Sequence, residues 1–147
     1  MDIDAALKEL ESLLPGLDYV VGFRLVRVPA IPGGTPEQYI TAALGPAAVI
    51  GGVSEVSGPE VLAEVEKCIR YPGGHGSGPP KTVLRSLRFD ELVGMVLANV
   101  EQAAAASDRM FRFWLSDGQP FYPVMWDFAF VFVAADGAAV FVGSSSD

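Results

Sequence analysis

The chain has 147 residues, of which half are hydrophobic and 19% are charged, and its formal net charge is −8. This composition excludes intrinsic disorder, and the length predicts one globular domain over residues 1–147. The acidic excess argues against binding to nucleic acid or to anionic membranes, and it would favour encounter with a basic partner.

Targeting signals and disulfides are not expected. No apolar run reaches the roughly 18 residues that a membrane span needs. Residues 1–4 are acidic and lack the basic flank of a signal peptide. The single cysteine, Cys68, cannot form an internal disulfide. We therefore expect a cytoplasmic protein.

The first third of the chain predicts a helix followed by a strand. Apolar residues at helical spacing indicate a helix over 2–14, which Pro15 and Gly16 end. Residues 18–28 read as a strand that is apolar on both faces, apart from Arg24. Two apolar faces predict an interior position in a sheet.

Two further helices carry the same start signal. Thr35 and Gln38, and again Ser57 and Glu60, have the spacing of a capping box. They predict a short helix over 35–44 and a second one from 57 to about 69. The intervening residues 47–56 predict a strand that Gly51-Gly52 interrupts with a bulge or bend.

The second half predicts a Gly/Pro-rich loop over 71–80, an ambiguous segment over 83–87, and a helix over 91–106 that Asp90 caps. It ends in three strands over 109–115, 124–134 and 138–142, the last two joined by an Asp136-Gly137 hairpin turn. We therefore predict an α+β fold. It has a mainly antiparallel sheet of about five strands, a C-terminal three-stranded meander, and about four helices packed mostly on one face.

Catalytic and metal-binding motifs are not recognisable. His75 is the only histidine, and no standard metal-ligand spacing or nucleophile elbow occurs. Cys68 falls on the apolar face of its helix, where it is expected to behave as a small hydrophobic residue. We predict no catalytic residue, no metal and no cofactor, and we lean towards a protein that is not an enzyme.

Asp127 is a carboxylate inside the most apolar predicted strand. A buried carboxylate needs a cationic partner, and Arg112 or Arg24 could supply it. Alternatively, Asp127 points into a ligand pocket. The residues predicted for that pocket are Asp127, Arg112, Trp114, Trp126 and Tyr122.

The segment 67–88 carries five basic residues and no acid, so that it holds +5 while the rest of the chain holds −13. One interpretation is a site for an anion or an acidic partner. The alternative is that these cations neutralise neighbouring acidic helices. The residues predicted for the site are Arg70, His75, Lys81, Arg85 and Arg88.

The functional hypothesis that follows is a non-enzymatic protein-interaction domain that binds a basic partner, as immunity or inhibitor proteins do. Small acidic immunity-type proteins have a comparable size and charge, which is an analogy at the level of fold class. Two alternatives remain: a domain that binds a small ligand or an anion, and an unrecognised enzyme with a pocket near Asp127.

Overall fold

One antiparallel sheet runs through the molecule. The computed structural model describes residues 2–117 and 125–147, and the strands within these ranges pair in the order β1-β5-β4-β3-β2. Their bounds are β1 (Val20–Pro29), β2 (Val49–Glu55), β3 (Arg109–Asp117), β4 (Asp127–Ala134) and β5 (Gly137–Ser146). Since β3, β4 and β5 are successive antiparallel neighbours, the predicted meander is confirmed.

One helix of the described ranges precedes β1 in the chain, and the others lie between strands. Their bounds are α1 (Ile3–Leu13), α2 (Pro36–Leu44), α3 (Gly58–Ile69), α4 (Lys81–Leu84) and α5 (Leu87–Ala106). α4 is a single short turn in the segment that the sequence left ambiguous. None of the described helices has the length and the apolar character that crossing a membrane requires.

Most helix starts are where the capping residues predict them. Both capping boxes form, at Thr35 for α2 and at Ser57 for α3. The predicted start of α5 was wrong, because Ser86 caps this helix by accepting a hydrogen bond from the Phe89 N–H at 3.1 Å. Asp90 instead lies in the first turn and pairs with Arg70 at 2.8 Å.

Helices cover the two faces of the sheet unequally. α1, α3 and α5 pack together on one side, which we call the three-helix face, and α2 packs on the other, the α2 face. Because side chains alternate along a strand, β4 and β5 supply both cores. The three-helix core includes Phe128, Phe130, Phe132 and Phe141, and the α2 core includes Val131, Val140 and Val142. The prediction that helices pack mostly on one face is confirmed.

β1 lies at an edge of the sheet, so that the predicted interior position was wrong. Its odd-numbered residues Val21, Phe23 and Leu25 pack in the three-helix core, while Val26 and Val28 pack in the α2 core. Both faces are therefore covered although the strand has one strand neighbour, β5. A strand with two apolar faces is one that helices cover on both sides of the sheet. The pattern does not indicate whether the strand pairs with one neighbouring strand or with two.

β3 and β4 pair at only one end within the described residues. Their register runs from Arg109 opposite Val133 to Arg112 opposite Phe130. β3 then continues along β2 as far as Asp117, while the first residues of β4 pair with β5. The two strands therefore separate where β4 begins, and we call this separation the fork.

The residues that enter β4 at the fork are held from the neighbouring strand. The hydroxyl oxygen of Ser145 accepts hydrogen bonds from the N–H groups of Met125 and Trp126, both at 3.1 Å. The N–H of Ser145 in turn donates to the Trp126 carbonyl at 3.0 Å. These bonds fix the backbone that leads to Asp127.

Candidate functional site

A cavity of about 730 Å³ opens on the three-helix face at the fork, and we call it the fork groove. The α3 helix forms one wall, and Arg112 of β3 together with residues 125–127 forms the other. The wall residues of α3 recur three and four positions apart, which places them on one side of a helix. They are Glu60, Ala63, Glu64, Lys67 and Cys68.

The groove wall is polar because the apolar residues of α3 lie on the other side of the helix, which packs in the core. Val61, Val65 and Ile69 are fully buried, and this stripe orients the helix. Glu60 and Lys67 are consequently exposed at the groove. The hydrogen bond that Ser57 donates to Glu60 holds the pKa of that carboxyl below its usual range, so that it is charged at neutral pH.

Asp127 is exposed, so that the first of the two alternatives for this residue, a buried carboxylate, was wrong. It is the first residue of β4, beside the fork, where β3 no longer covers the strand's free edge. The predicted pairing with Arg112 or Arg24 was also wrong. Arg112 binds Glu64, and Arg24 donates to the Ala43 carbonyl at 3.4 Å. Within the described residues the Asp127 carboxylate therefore forms no ion pair, and the residue lines the groove where β4 begins.

Arg112 is fixed between the helix and the sheet. Its Nη2 donates a hydrogen bond to the Glu64 carboxylate, and its guanidinium lies 5.8 Å from the centre of the Phe130 ring. Its buried Nε has no hydrogen-bond acceptor among the described residues. The positive charge of Arg112 is thus compensated by Glu64 and, electrostatically, by Glu60. Asp127 and Lys67 also line the groove and form no ion pair within the described residues.

One tryptophan lines the fork groove and another lies near it. Trp126 is buried, and its Nε1–H donates to the Tyr19 hydroxyl at 2.8 Å. Trp114, two residues beyond Arg112 on the same side of β3, is 51% exposed. Of the predicted pocket residues, the structure brings Asp127, Arg112 and Trp126 to one cavity and puts Trp114 beside it. Tyr122 lies outside the described residues.

The Cys68 thiol at the groove floor is poorly suited to nucleophilic chemistry. The residue is buried, as predicted, and its Sγ lies 3.9 Å from the Asp127 carbonyl oxygen. Burial raises the pKa of the Cys68 thiol to about 12. The thiol is therefore protonated at neutral pH, and the thiolate is the form that attacks substrates or binds metals.

Two cations of the basic segment 67–88 form ion pairs with acidic residues. Arg88 forms a bidentate ion pair with Glu9 of α1, with distances of 2.6 and 2.7 Å. Arg70 pairs with Glu66 at 2.9 Å and with Asp90 at 2.8 Å. These contacts favour the interpretation that the cations neutralise acidic helices. An anion or partner site stays a prediction for this segment.

The other predicted residues of that segment, His75, Lys81 and Arg85, are exposed. The loop that carries His75 is closed by a hydrogen bond from the Gly74 N–H to the Ser77 carbonyl at 2.9 Å, and it is tied to Leu17 through the Gly78 N–H at 3.0 Å. In the ranges that the structure describes, no group of three or more His, Cys, Asp or Glu side chains is placed to hold a metal ion.

Sequence reasoning missed the α3 wall of the groove. From the sequence, Glu60 was assigned only to the capping box and Lys67 only to the basic segment, and Glu64 was not considered. The spacing of these residues by three and four positions was the available signal. What the spacing alone could not indicate is that β3 presents Arg112 opposite this side.

Comparisons of the chain with protein-family models, with curated proteins and with solved structures found no match. The function is therefore inferred from the residues of the fork groove and from the charge of the molecule around it.

Proposed function

We propose that this protein is a non-enzymatic interaction domain that binds a basic partner protein at the fork groove, in the manner of an immunity or inhibitor protein. The observation that carries the proposal is the open groove itself. It is a concave surface beside a half-exposed tryptophan, and the exposed acidic residues Asp127 and Glu60 line it.

The charge distribution supports a basic partner. Five arginines form ion pairs with seven carboxylates in the described residues. The formal net charge of the whole chain is −8. The surface therefore keeps an acidic excess after internal pairing, and such a field accelerates encounter with a positively charged protein.

The composition of the groove supports protein recognition. Residues that dominate binding energy at protein interfaces are enriched in Trp, Tyr and Arg, and the groove and its margin contain Trp114, Tyr71 and Arg112. Arg112 is already oriented by Glu64 and Phe130. A partner would then meet a site with little side-chain entropy left to lose.

A lysine- and arginine-rich peptide of about twelve residues, titrated by calorimetry, tests the proposal. We expect binding that weakens as salt is added, because exposed charges are screened. The double variant Glu60→Gln/Asp127→Asn should bind roughly 2- to 30-fold more weakly, the range expected from losing two exposed ion pairs. Gln at position 60 preserves the capping-box pattern of α3.

The matched control is Glu37→Gln/Asp136→Asn, which removes the same charge at the start of α2 and at the turn between β4 and β5. It should bind as the wild type does. Equal weakening in both double variants would mean that only net charge matters, and absence of binding to any basic peptide would reject the proposal.

A small-molecule ligand is the second candidate, because the groove volume lies within the range of known ligand sites and Asp127 is reachable from solvent. A neutral or zwitterionic compound that raises the unfolding temperature of the wild type but not of Asp127→Asn would favour this candidate over a protein partner.

A further inference from the structure

Trp114 lies against two glycines of the edge strand β2. A Cβ atom at Gly52 would come within 2.0 Å of the Trp114 ring carbon Cζ2, and a Cβ atom at Gly51 within 2.8 Å of its Cδ1. The indole therefore occupies the space that side chains at both positions would fill. Its opposite side is open, and the residue is 51% exposed.

A β-bulge makes this seat possible. Side chains at successive strand positions normally point to opposite faces, but the register between β2 and β3 shifts between Ile50 and Gly52. Both glycines consequently contact the same indole. Glycine inside a strand costs about 0.5–1 kcal/mol relative to alanine, so that the strand accepts two unfavourable residues and a bulge where Trp114 is held.

The surroundings of Trp114 suit a cation. Arg112 is the nearest basic residue along the strand, and its charge is compensated by the ion pair with Glu64. Glu60 also interacts electrostatically with Arg112, so that two carboxylates of α3 stand on the side of β3 that presents Trp114. An exposed indole attracts ammonium and guanidinium groups through the negative potential of its ring, more strongly than Tyr or Phe does.

We infer that the Gly51-Gly52 bulge seats Trp114 as a platform for a cationic side chain, an arginine or lysine of the partner, which stacks on the indole at the margin of the fork groove. This inference rests on the proposed function and specifies its anchor. It commits to a cation over an apolar or neutral planar group, because the molecule carries a net charge of −8 and because Glu60 and Glu64 lie on the face of the sheet that carries Arg112 and the indole.

A pair of short acetylated and amidated peptides tests the inference. One contains two arginines, and the other has citrulline at the same positions, which keeps the planar group and removes the charge. Titration is followed by the NMR signal of the Trp114 Nε1–H, with the Trp126 signal as an internal reference for a buried indole. We expect the arginine peptide to shift the Trp114 signal. The citrulline peptide should bind roughly 2- to 30-fold more weakly than the arginine peptide.

Three variants separate the role of the ring from that of the surface. Trp114→Leu keeps apolar area but removes the aromatic ring, and it should weaken arginine binding by the same roughly 2- to 30-fold. Gly52→Ala should weaken it too, without touching the peptide, because the new methyl group displaces the indole. Leu87→Ala, at a residue that is 75% exposed on α5, is the control and should leave binding unchanged.

Distinct results overturn the inference and the proposed function. If the basic peptide binds Trp114→Leu as tightly as the wild type, Trp114 only covers the glycines and the inference fails while the proposed function stands. Equal binding of the citrulline peptide also rejects a cation platform. If no basic peptide binds the wild type, the proposed function fails. Should Gly52→Ala not fold, judged by near-ultraviolet circular dichroism, the Trp114→Leu comparison decides.

Discussion

The hydrogen bond between Trp126 and Tyr19 ties the groove to the start of β1. The indole N–H donates to the phenol oxygen at 2.8 Å, and Tyr19 is almost fully buried. Burial raises the pKa of Tyr19 to about 12, which keeps the phenol protonated at neutral pH. A buried polar pair of this kind stabilises the fold chiefly because either partner alone would be left unsatisfied.

A double-mutant cycle measures this bond. Trp126→Phe and Tyr19→Phe should each lower the free energy of unfolding by about 1–3 kcal/mol, since each orphans or removes one polar group. The double variant should lose less than the two single losses together, because neither polar atom remains. Urea unfolding at neutral pH gives the three values, and strictly additive losses would contradict the bond.

Single residues also show where prediction from sequence stops. Asp127 stands between Trp126 and Phe128, and an aspartate between two aromatic residues predicts burial. The structure exposes it because β4 begins at that residue and because β3 has already separated at the fork. Both aromatic neighbours are buried, as their residue types predict. They do not indicate where β3 ends its pairing with β4, and this position decides the exposure of Asp127.

At the scale of secondary-structure elements, the Asp136-Gly137 turn shows a local signal that is also a tertiary requirement. The predicted hairpin forms between β4 and β5. Gly137 has φ 144°, and a Cβ atom there would lie 2.3 Å from the carbonyl oxygen of Val28. The glycine therefore serves the turn and also lets β1 approach β5.

Gly137→Ala should consequently be more harmful than an ordinary turn substitution. We expect a loss of at least about 2 kcal/mol in the free energy of unfolding, from backbone strain together with displacement of β1. Gly33→Ala is the matched control, since Gly33 also has a positive φ, 65°, but has no atom within 4 Å of the Cβ position. It should lose only about 1 kcal/mol. Equal losses in thermal or urea unfolding would show that the contact with Val28 is unimportant.

At the scale of the whole molecule, ion pairs between distant elements link stability to pH. The hydrogen bonds from Arg88 and Arg109 hold the pKa values of Glu9 and Glu55 below their usual range. A carboxyl with a folded pKa below its unfolded value, about 4.3 for Glu, stabilises the fold above that value. This stabilisation is lost as the pH falls through the folded pKa.

The free energy of unfolding should therefore fall between about pH 5 and pH 3. The double variant Glu9→Gln/Glu55→Gln should show a shallower fall, because two of the linked carboxyls are gone. Urea unfolding across this pH range provides the slopes. Glu37→Gln/Asp136→Asn removes two carboxylates outside the described ion pairs and should keep the wild-type slope; a parallel decrease in both variants would contradict the assignment.

The sequence by itself determined most of the elements of this protein. The capping boxes of α2 and α3, the Asp136-Gly137 turn, and the meander of β3, β4 and β5 were predictable, because each depends on residues close together in the chain. Helical and strand periodicity, turn residues and capping hydrogen bonds act over a few positions, and their energies do not depend on which distant segment lies alongside.

Only the tertiary structure decided the site. In the folded protein β1 lies at an edge of the sheet and Asp127 is exposed. Arg112 forms an ion pair with Glu64, and Arg88 forms one with Glu9. The two ion pairs join residues that are 48 or more positions apart in the chain. The position of β1 and the exposure of Asp127 depend on how the strands are arranged across the sheet. Many pairings of arginines with carboxylates are compatible with the composition, and the burial of the apolar stripes selects among them by setting which elements become neighbours.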